Sequence, residues 1–228
     1  MDGWTLTRVG DAALAVEFEQ RIDPAVNARA LAVGAALRAA RHAGVLDVVE
    51  GFCTVTVVFD PLRTDVRRVA AELETAAERQ RGSVEAGGEV ALPVCYGGPH
   101  GPDLEQVAAF AGCSADEVVA LHSGAVYRVY MLGFLPGFAY LGSVEPRIAI
   151  PRRRSPRLRV PAGSVGIAGL QTGVYPLEAP GGWHLIGRCP VGICDLERAE
   201  PFRLRAGHRV RFEPITEAEY SLQVESEP

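Results

Sequence analysis

GFLPGFAYLG (133–142) and PRRRSPRLRVPAGSVGIAGLQTGVYPLEAPGGWHLIGRC (151–189) decide how this chain folds. Glycine, proline and aromatic residues alternate here at short intervals, and five arginines fall within eight positions, Arg152 to Arg159. Glycine allows positive φ and close backbone approach, and proline fixes φ. A segment built this way is a series of shaped turns between short strands. Helical periodicity almost vanishes beyond Gly124. Apolar runs bounded by turn residues continue at 125–132, 164–169, 172–177, 183–189 and 208–213, which reads as a closed barrel or a compact sandwich.

Upstream the pattern changes. AALAVEF (12–18) reads as a strand, and Asp23-Pro24 as an N-cap with a first-turn proline opening a helix to about Arg41. Two further strands follow at 45–49 and 53–59. Thr64 is then positioned to cap a helix over 65–80, with Val66, Val69, Ala70 and Leu73 at helical spacing. RGSVEAGG (81–88) breaks every periodicity and reads as a linker. Beyond it come a strand (EVALPVCY), a Gly/Pro turn, a short helix from near Asp103, and a helix at 115–122 opened by a Ser114/Glu117 capping box. The class is α+β. A small α/β N-terminal domain over 1–84 precedes a β-barrel domain over 89–228.

Composition narrows function. The 228 residues carry a net charge of −5, which does not favour nucleic acid as partner. No run of 18 apolar residues suggests a membrane span, and the first residues lack the pattern of a signal peptide, so a cytoplasmic location is expected. The five cysteines, without a C-x-x-C pair, read as reduced thiols and not as a disulfide framework or a structural zinc site, so no metal site is expected. There is no lysine; all 23 basic residues are arginines. A P-loop lysine, a Schiff-base lysine and a biotin-carrying lysine are therefore excluded within these residues, and a bound phosphate must be held by arginine, backbone N–H groups or a metal.

Four features carry candidate chemistry. Prolines at 151, 156 and 161 frame Arg152, Arg153, Arg154, Arg157 and Arg159, a +5 segment in an acidic chain. It reads either as an anion clamp or as a basic loop that is solvated or docked on an acidic partner. Its prolines suggest an extended arm away from ladder pairing, and so Arg154 and Arg157 are expected to tolerate truncation without loss of stability. Phe134, Phe138 and Tyr140 sit in a Gly/Pro loop that either walls a pocket for a planar ligand or plugs a turn. Ser164, Gln171 and Thr172 lie among glycines whose N–H groups suit an anion nest. PGGW (180–183) delivers Trp183, and His184 follows at the start of a strand.

Taken together, YGG-x-x-GPDL (96–104), GF-x-PGFAYLG (133–142), PR-x-x-x-PR-x-x-VPAGSVGIAG (151–169), QTG-x-YPLE-x-PGGW-x-LIGR (171–188) and VRFEPI (210–215) resemble one family. It is the family of B-type 5-oxoprolinase subunits, also known as allophanate hydrolase subunit 1 and as the sporulation-kinase inhibitor family. The resemblance implies a cyclophilin-like barrel for the second domain. It also implies a partner, a C-type 5-oxoprolinase subunit or allophanate hydrolase subunit 2, the pair being similar to the carboxyltransferase half of urea carboxylase. The implied activity is ATP-dependent hydrolysis of a cyclic or linear amide, with ATP, with or without magnesium, shared with the partner. In that reading Arg154, Arg157 and His184 take catalytic roles. Phe138, Tyr140, Arg152, Ser164, Gln171, Thr172 and Trp183 bind a small amide substrate. The same resemblance allows a second function, a regulatory protein that binds a sensor histidine kinase. Cys189-Pro190 stands where the family usually carries Thr-Pro.

Overall fold

The computed structural model describes residues 3–80 and 87–226, and the chain divides into two compact units, Met1–Ala86 and Gly87–Pro228. Most of the glycine-rich window read as a linker, residues 81–86, lies outside the described residues.

In the first unit, β1 (Trp4–Arg8), β2 (Ala13–Phe18), β3 (Val45–Glu50) and β4 (Thr54–Phe59) form an antiparallel sheet in the order β1-β2-β4-β3. Two helices, α1 (Pro24–Ala40) and α2 (Val66–Arg79), pack with it. Alternation in β4 turns Val55, Val57 and Phe59 inward, where they meet Leu14, Val16 and the α2 stripe Val69, Leu73 and Ala77. Asp23 caps α1 through the N–H groups of Ala25 and Val26. The cap of α2 is Asp65, not Thr64: its Oδ1 accepts from the N–H groups of Arg67 at 2.9 Å and Arg68 at 3.0 Å. The Thr64 hydroxyl is instead buried, beside the close approach of Gly44. Strand β1 escaped the sequence reading because it is a half-exposed edge.

The second unit is a closed seven-stranded barrel in the order β10-β7-β6-β13-β5-β12-β9. The strands are β5 (Glu89–Tyr96), β6 (Val126–Leu132), β7 (Ala139–Gly142), β9 (Ser164–Ala168), β10 (Gln171–Val174), β12 (His184–Arg188) and β13 (Arg209–Ile215). All neighbours are antiparallel except β13 and β5, which run parallel with Ile215 opposite Cys95. A two-stranded ribbon joins β8 (Arg157–Val160) to β11 (Ala179–Gly181). Helices α3 (Leu104–Ala111) and α4 (Ala115–Ser123) pack together, with the Ser114/Glu117 capping box in place. A last helix, α5 (Glu217–Ser226), was not read from the sequence; none of its residues is buried, so it lacks the apolar stripe that periodicity detects. The mixed class expected from the sequence, a small α/β layer followed by a barrel, is the observed one.

Burial in the barrel is nearly continuous, and one polar group is fully satisfied within it. His122 of α4 stacks on Phe212, with ring centroids 4.6 Å apart. Its Nε2 lies 2.8 Å from the Thr172 hydroxyl, which donates to the Gly166 carbonyl at 3.0 Å. The hydroxyl has one proton, so it must accept from His122 Nε2–H. Nδ1 therefore accepts from the Tyr96 hydroxyl at 2.8 Å. Burial pushes this histidine down to about 3, so it is neutral at ordinary pH.

Candidate functional site

Two hollows open side by side on the barrel unit and share Arg152. The first, of about 240 Å³, is an aromatic cleft lined by Phe134, Phe138, Tyr140, Tyr175 and Trp183, with Arg152, Pro156 and the turn 180–182. The second, of about 460 Å³, is lined by Arg152, Arg153, Arg154, Ser155, Pro151, Ile150, Gln106 and His184.

The cleft exists because the backbone lets five rings meet. Phe138 stands edge-on to Tyr140, Tyr175 and Trp183, with centroids 4.9, 5.2 and 5.5 Å away. Gly173 makes room: a Cβ there would sit 2.8 Å from the Ala139 carbonyl oxygen and 3.2 Å from the Phe138 ring. Gly181 does the same for Tyr175, whose hydroxyl would lie 2.3 Å from an added Cβ. Phe134 is held at φ 70°, a region bulky residues avoid, and is 60% exposed at the rim, edge-on to Phe138. Burial pushes the Tyr175 phenol up to about 12 and raises that of Tyr140, while the Arg152 charge opposes both shifts. Both phenols are neutral donors at ordinary pH.

The five arginines of the proline-spaced segment divide by partner. Arg153 Nη1 and Arg157 Nη2 reach Oδ1 of Asp103 at 2.9 and 2.7 Å, and the Leu185 N–H reaches Oδ2 at 2.7 Å. Asp103 is 4% exposed. Its burial favours the neutral acid, but the Arg157 hydrogen bond, the Leu185 N–H and the charges of Arg157 and Arg153 together hold it below the usual carboxylate range. Arg159 pairs with Glu178 at 2.8 Å on the surface. Arg152 and Arg154 are exposed and make no ion pair among the described residues, and both line the basic hollow.

This division corrects the expectations for the arm. It is not free of ladder pairing: Arg157–Val160 is strand β8, paired with β11. Nor is Arg157 a free anion clamp, because its guanidinium neutralises a buried carboxylate. Asp103 itself escaped notice. The sequence marked it only as the start of a short helix; it stands at the N-terminus of α3, yet its side chain makes no capping hydrogen bond.

The remaining predicted site residues separate as well. His184 lies in the wall of the basic hollow, with Nε2 donating to the Pro151 carbonyl at 3.1 Å and Nδ1 buried without a hydrogen-bond partner among the described residues. Burial lowers its pKa, opposed by the nearby Asp103 charge, so the ring is neutral and is a poor proton donor. Phe138, Tyr140, Trp183 and Arg152 converge on the cleft, as described. Ser164, Gln171 and Thr172 line neither hollow. Thr172 is fully buried, its hydroxyl committed to His122 and Gly166. The expected anion nest is used up internally: the N–H groups of Gly163, Ser164 and Gly169 donate to the carbonyls of Tyr175, Pro161 and Ile150.

A closed barrel bearing an aromatic cleft beside an arginine hollow, preceded by a four-stranded α/β layer, defines the class. Residues 4–204 match the family described as "Carboxyltransferase domain, subdomain C and D", and the chain belongs to that family. Among its relatives, the B-type 5-oxoprolinase subunit of Bacillus subtilis (strain 168) is 40% identical over 234 residues, covering 95% of each chain. Its counterpart in Escherichia coli O157:H7, also a B-type 5-oxoprolinase subunit, is 41% identical, covering 92% of this chain and 95% of its own. Of solved structures, the protein TTHA0988 superposes with a TM-score of 0.81 at 40% identity over 89% of this chain. The present chain spans only 40% of that longer one. The Kluyveromyces lactis urea amidolyase shares the fold, with a TM-score of 0.81 at 20% identity over 97% of this chain and 15% of its own.

Proposed function

We propose that this chain is the B-type subunit of an ATP-dependent 5-oxoprolinase, acting with a C-type partner chain. The observation that supports it most is the 40% identity to a B-type 5-oxoprolinase subunit across 95% of both chains. The site is chemically suited to the reading. A five-membered lactam bearing a carboxylate is small and has a nearly planar ring with one anionic edge. Phe138, Tyr175 and Trp183 are buried and pack edge-on, so the surface left for the lactam is the exposed Phe134 and the half-buried Tyr140, and Arg152, common to both hollows, offers a guanidinium to the carboxylate.

ATP would supply the driving force by phosphorylating the amide oxygen and so making a leaving group. With no lysine in the chain, the residues fitted to hold a transferred phosphoryl group are Arg152 and Arg154, exposed in the basic hollow. His184, neutral and bonded to the Pro151 carbonyl, fixes the hollow's wall. Among the described residues the hollows hold no nucleophile paired with a base, so this chain binds and orients while the partner completes the chemistry.

The test is co-expression with the C-type partner chain, followed by measurement of 5-oxoproline-dependent ATP hydrolysis by the co-purified complex. Turnover by the assembled complex and none by the single chain is the expected result. An assembled complex that hydrolyses ATP identically with and without 5-oxoproline overturns the assignment.

A further inference from the structure

A second cluster of reactive side chains lies apart from both hollows, where β5, the turn after it and α5 meet. The Cys95 sulfur, a His100 ring nitrogen and a Glu217 carboxylate oxygen all lie within 4.8 Å of one another. The sequence spreads these three residues over more than half the chain, without metal-ligand spacing. Tertiary structure assembles them in three steps. Strand β13 runs parallel to β5 with Ile215 opposite Cys95, so the chain two residues later, at Glu217, lies over the cysteine. A capping arrangement at Thr216, whose N–H and hydroxyl meet Glu219, starts α5 at that point. Gly97 and Gly98, both at positive φ, then turn the chain after β5 so that His100 comes back to the helix.

There the His100 ring sits against Tyr220 at 4.2 Å between centroids, and Nε2 is 3.3 Å from Glu217 Oε1. Cys95 is buried and the His100 side chain is 12% exposed. Arg188, opposite Cys95 on β12, turns its Nε to the Ala162 carbonyl at 2.9 Å.

We propose that Cys95, His100 and Glu217 bind a zinc-type divalent cation that clasps α5 to the barrel. Three observations converge on this. The donor set is a cysteine thiol that ion binding would deprotonate, an imidazole and a carboxylate, which suits zinc and not magnesium or calcium, ions that take oxygen ligands. The spacing is close: tetrahedral bonds of ~2.0–2.3 Å hold ligand atoms roughly 3.3–3.6 Å apart, which the histidine and carboxylate match at 3.3 Å, and the sulfur lies within 4.8 Å of both, so a bound ion needs only a small inward shift. The third observation is that α5 has no buried residue, so apolar packing alone gives this helix little reason to stay where it is. Three protein ligands leave one coordination position for water.

Titration of the full chain with Co2+ alone, and separately with Zn2+ and Mg2+, tests this. The expected result is one Co2+ per chain, with a sulfur-to-cobalt charge-transfer band and the visible bands of a four-coordinate ion. Zn2+ should displace it, and Mg2+ should not. Hydrogen exchange of residues 217–226 should slow when Zn2+ is added. Cys95→Ser should abolish the charge-transfer band, whereas Cys113→Ser should leave it. Glu217→Gln alters an exposed residue that folding does not need, and should weaken binding by at least about tenfold. Absence of a stoichiometric ion, or binding that survives both Cys95→Ser and Glu217→Gln, overturns the proposal.

Discussion

Arg157→Ala separates a structural arginine from a functional one. Arg157 and Arg153 share one oxygen of a carboxylate that is 4% exposed, and the other oxygen takes the Leu185 N–H. Removing Arg157 alone deletes one charge-assisted hydrogen bond while Arg153 still neutralises Asp103, at a cost of about 1.5–3 kcal/mol. Removing both strands a buried charge, which costs about 3–5 kcal/mol. Arg154, exposed and without an ion pair among the described residues, should shift stability by no more than about 0.5 kcal/mol when truncated. For a unit of this size roughly 3 °C follows each kcal/mol, so Arg157→Ala should lower the melting temperature by about 5–9 °C, and the double variant with Arg153→Ala by about 9–15 °C. Arg154→Ala should melt with the parent protein. A thermal melt followed by circular dichroism reads the series. A cycle of Asp103→Asn and Arg157→Ala, singly and together, should give a coupling of about 1 kcal/mol or more. If Arg157→Ala melts with Arg154→Ala, or the cycle is additive, the carboxylate does not depend on the pair and the assignment of Arg157 to structure is wrong.

The other predictions concern acid stability, the cleft and its floor. His122 is held at about 3 in the folded chain against ~6.5 unfolded, so its contribution is present above pH ~6.5 and is lost as pH falls toward 3. Urea unfolding at pH 5 should therefore show about 2 kcal/mol less stability than at pH 7 from this residue alone, and His122→Gln should flatten that slope. Asp103 acts at lower pH: its contribution is present above the unfolded carboxylate value, about 3.9, and disappears as pH falls through the depressed folded one, so Asp103→Asn should remove a second acid limb. Gly173→Ala should cost about 1–3 kcal/mol in a chemical denaturation curve, because the new methyl meets the Ala139 carbonyl as well as a ring. Arg152→Ala should leave the melting temperature within about 2 °C while raising the KM for 5-oxoproline of the assembled complex by at least about tenfold, roughly the worth of a charge-assisted bond; an unchanged KM removes Arg152 from the substrate site.

Much of the fold was legible locally. A cap such as Asp23-Pro24, the Ser114/Glu117 box and the alternation of β4 act within a few residues, and they placed those elements close to where they are observed. That Phe134, Phe138 and Tyr140 sit on a shaped Gly/Pro loop was legible, but whether the loop walls a pocket or plugs a turn was not, because that depends on the rings of Tyr175 and Trp183 brought against it. What local pattern does not encode is which polar side chain meets which. Thr172, read as a ligand contact among glycines, turns inward to His122, fifty positions earlier in sequence. The arginine arm shows the same division most plainly. Its composition reads as an anion clamp or as a solvated or docked basic loop, and residue type alone does not say that Arg153 and Arg157 are consumed by Asp103 while Arg152 and Arg154 stay exposed. Cys95, His100 and Glu217 come together only because β13 runs parallel to β5. Sequence by itself thus determined the class and most of the elements, though neither β1 nor α5, since those depend on short-range backbone preference and periodicity. Pairing of charges and ligands depends on strand register and barrel closure, which are cooperative properties of the whole unit, and only the tertiary structure decided them.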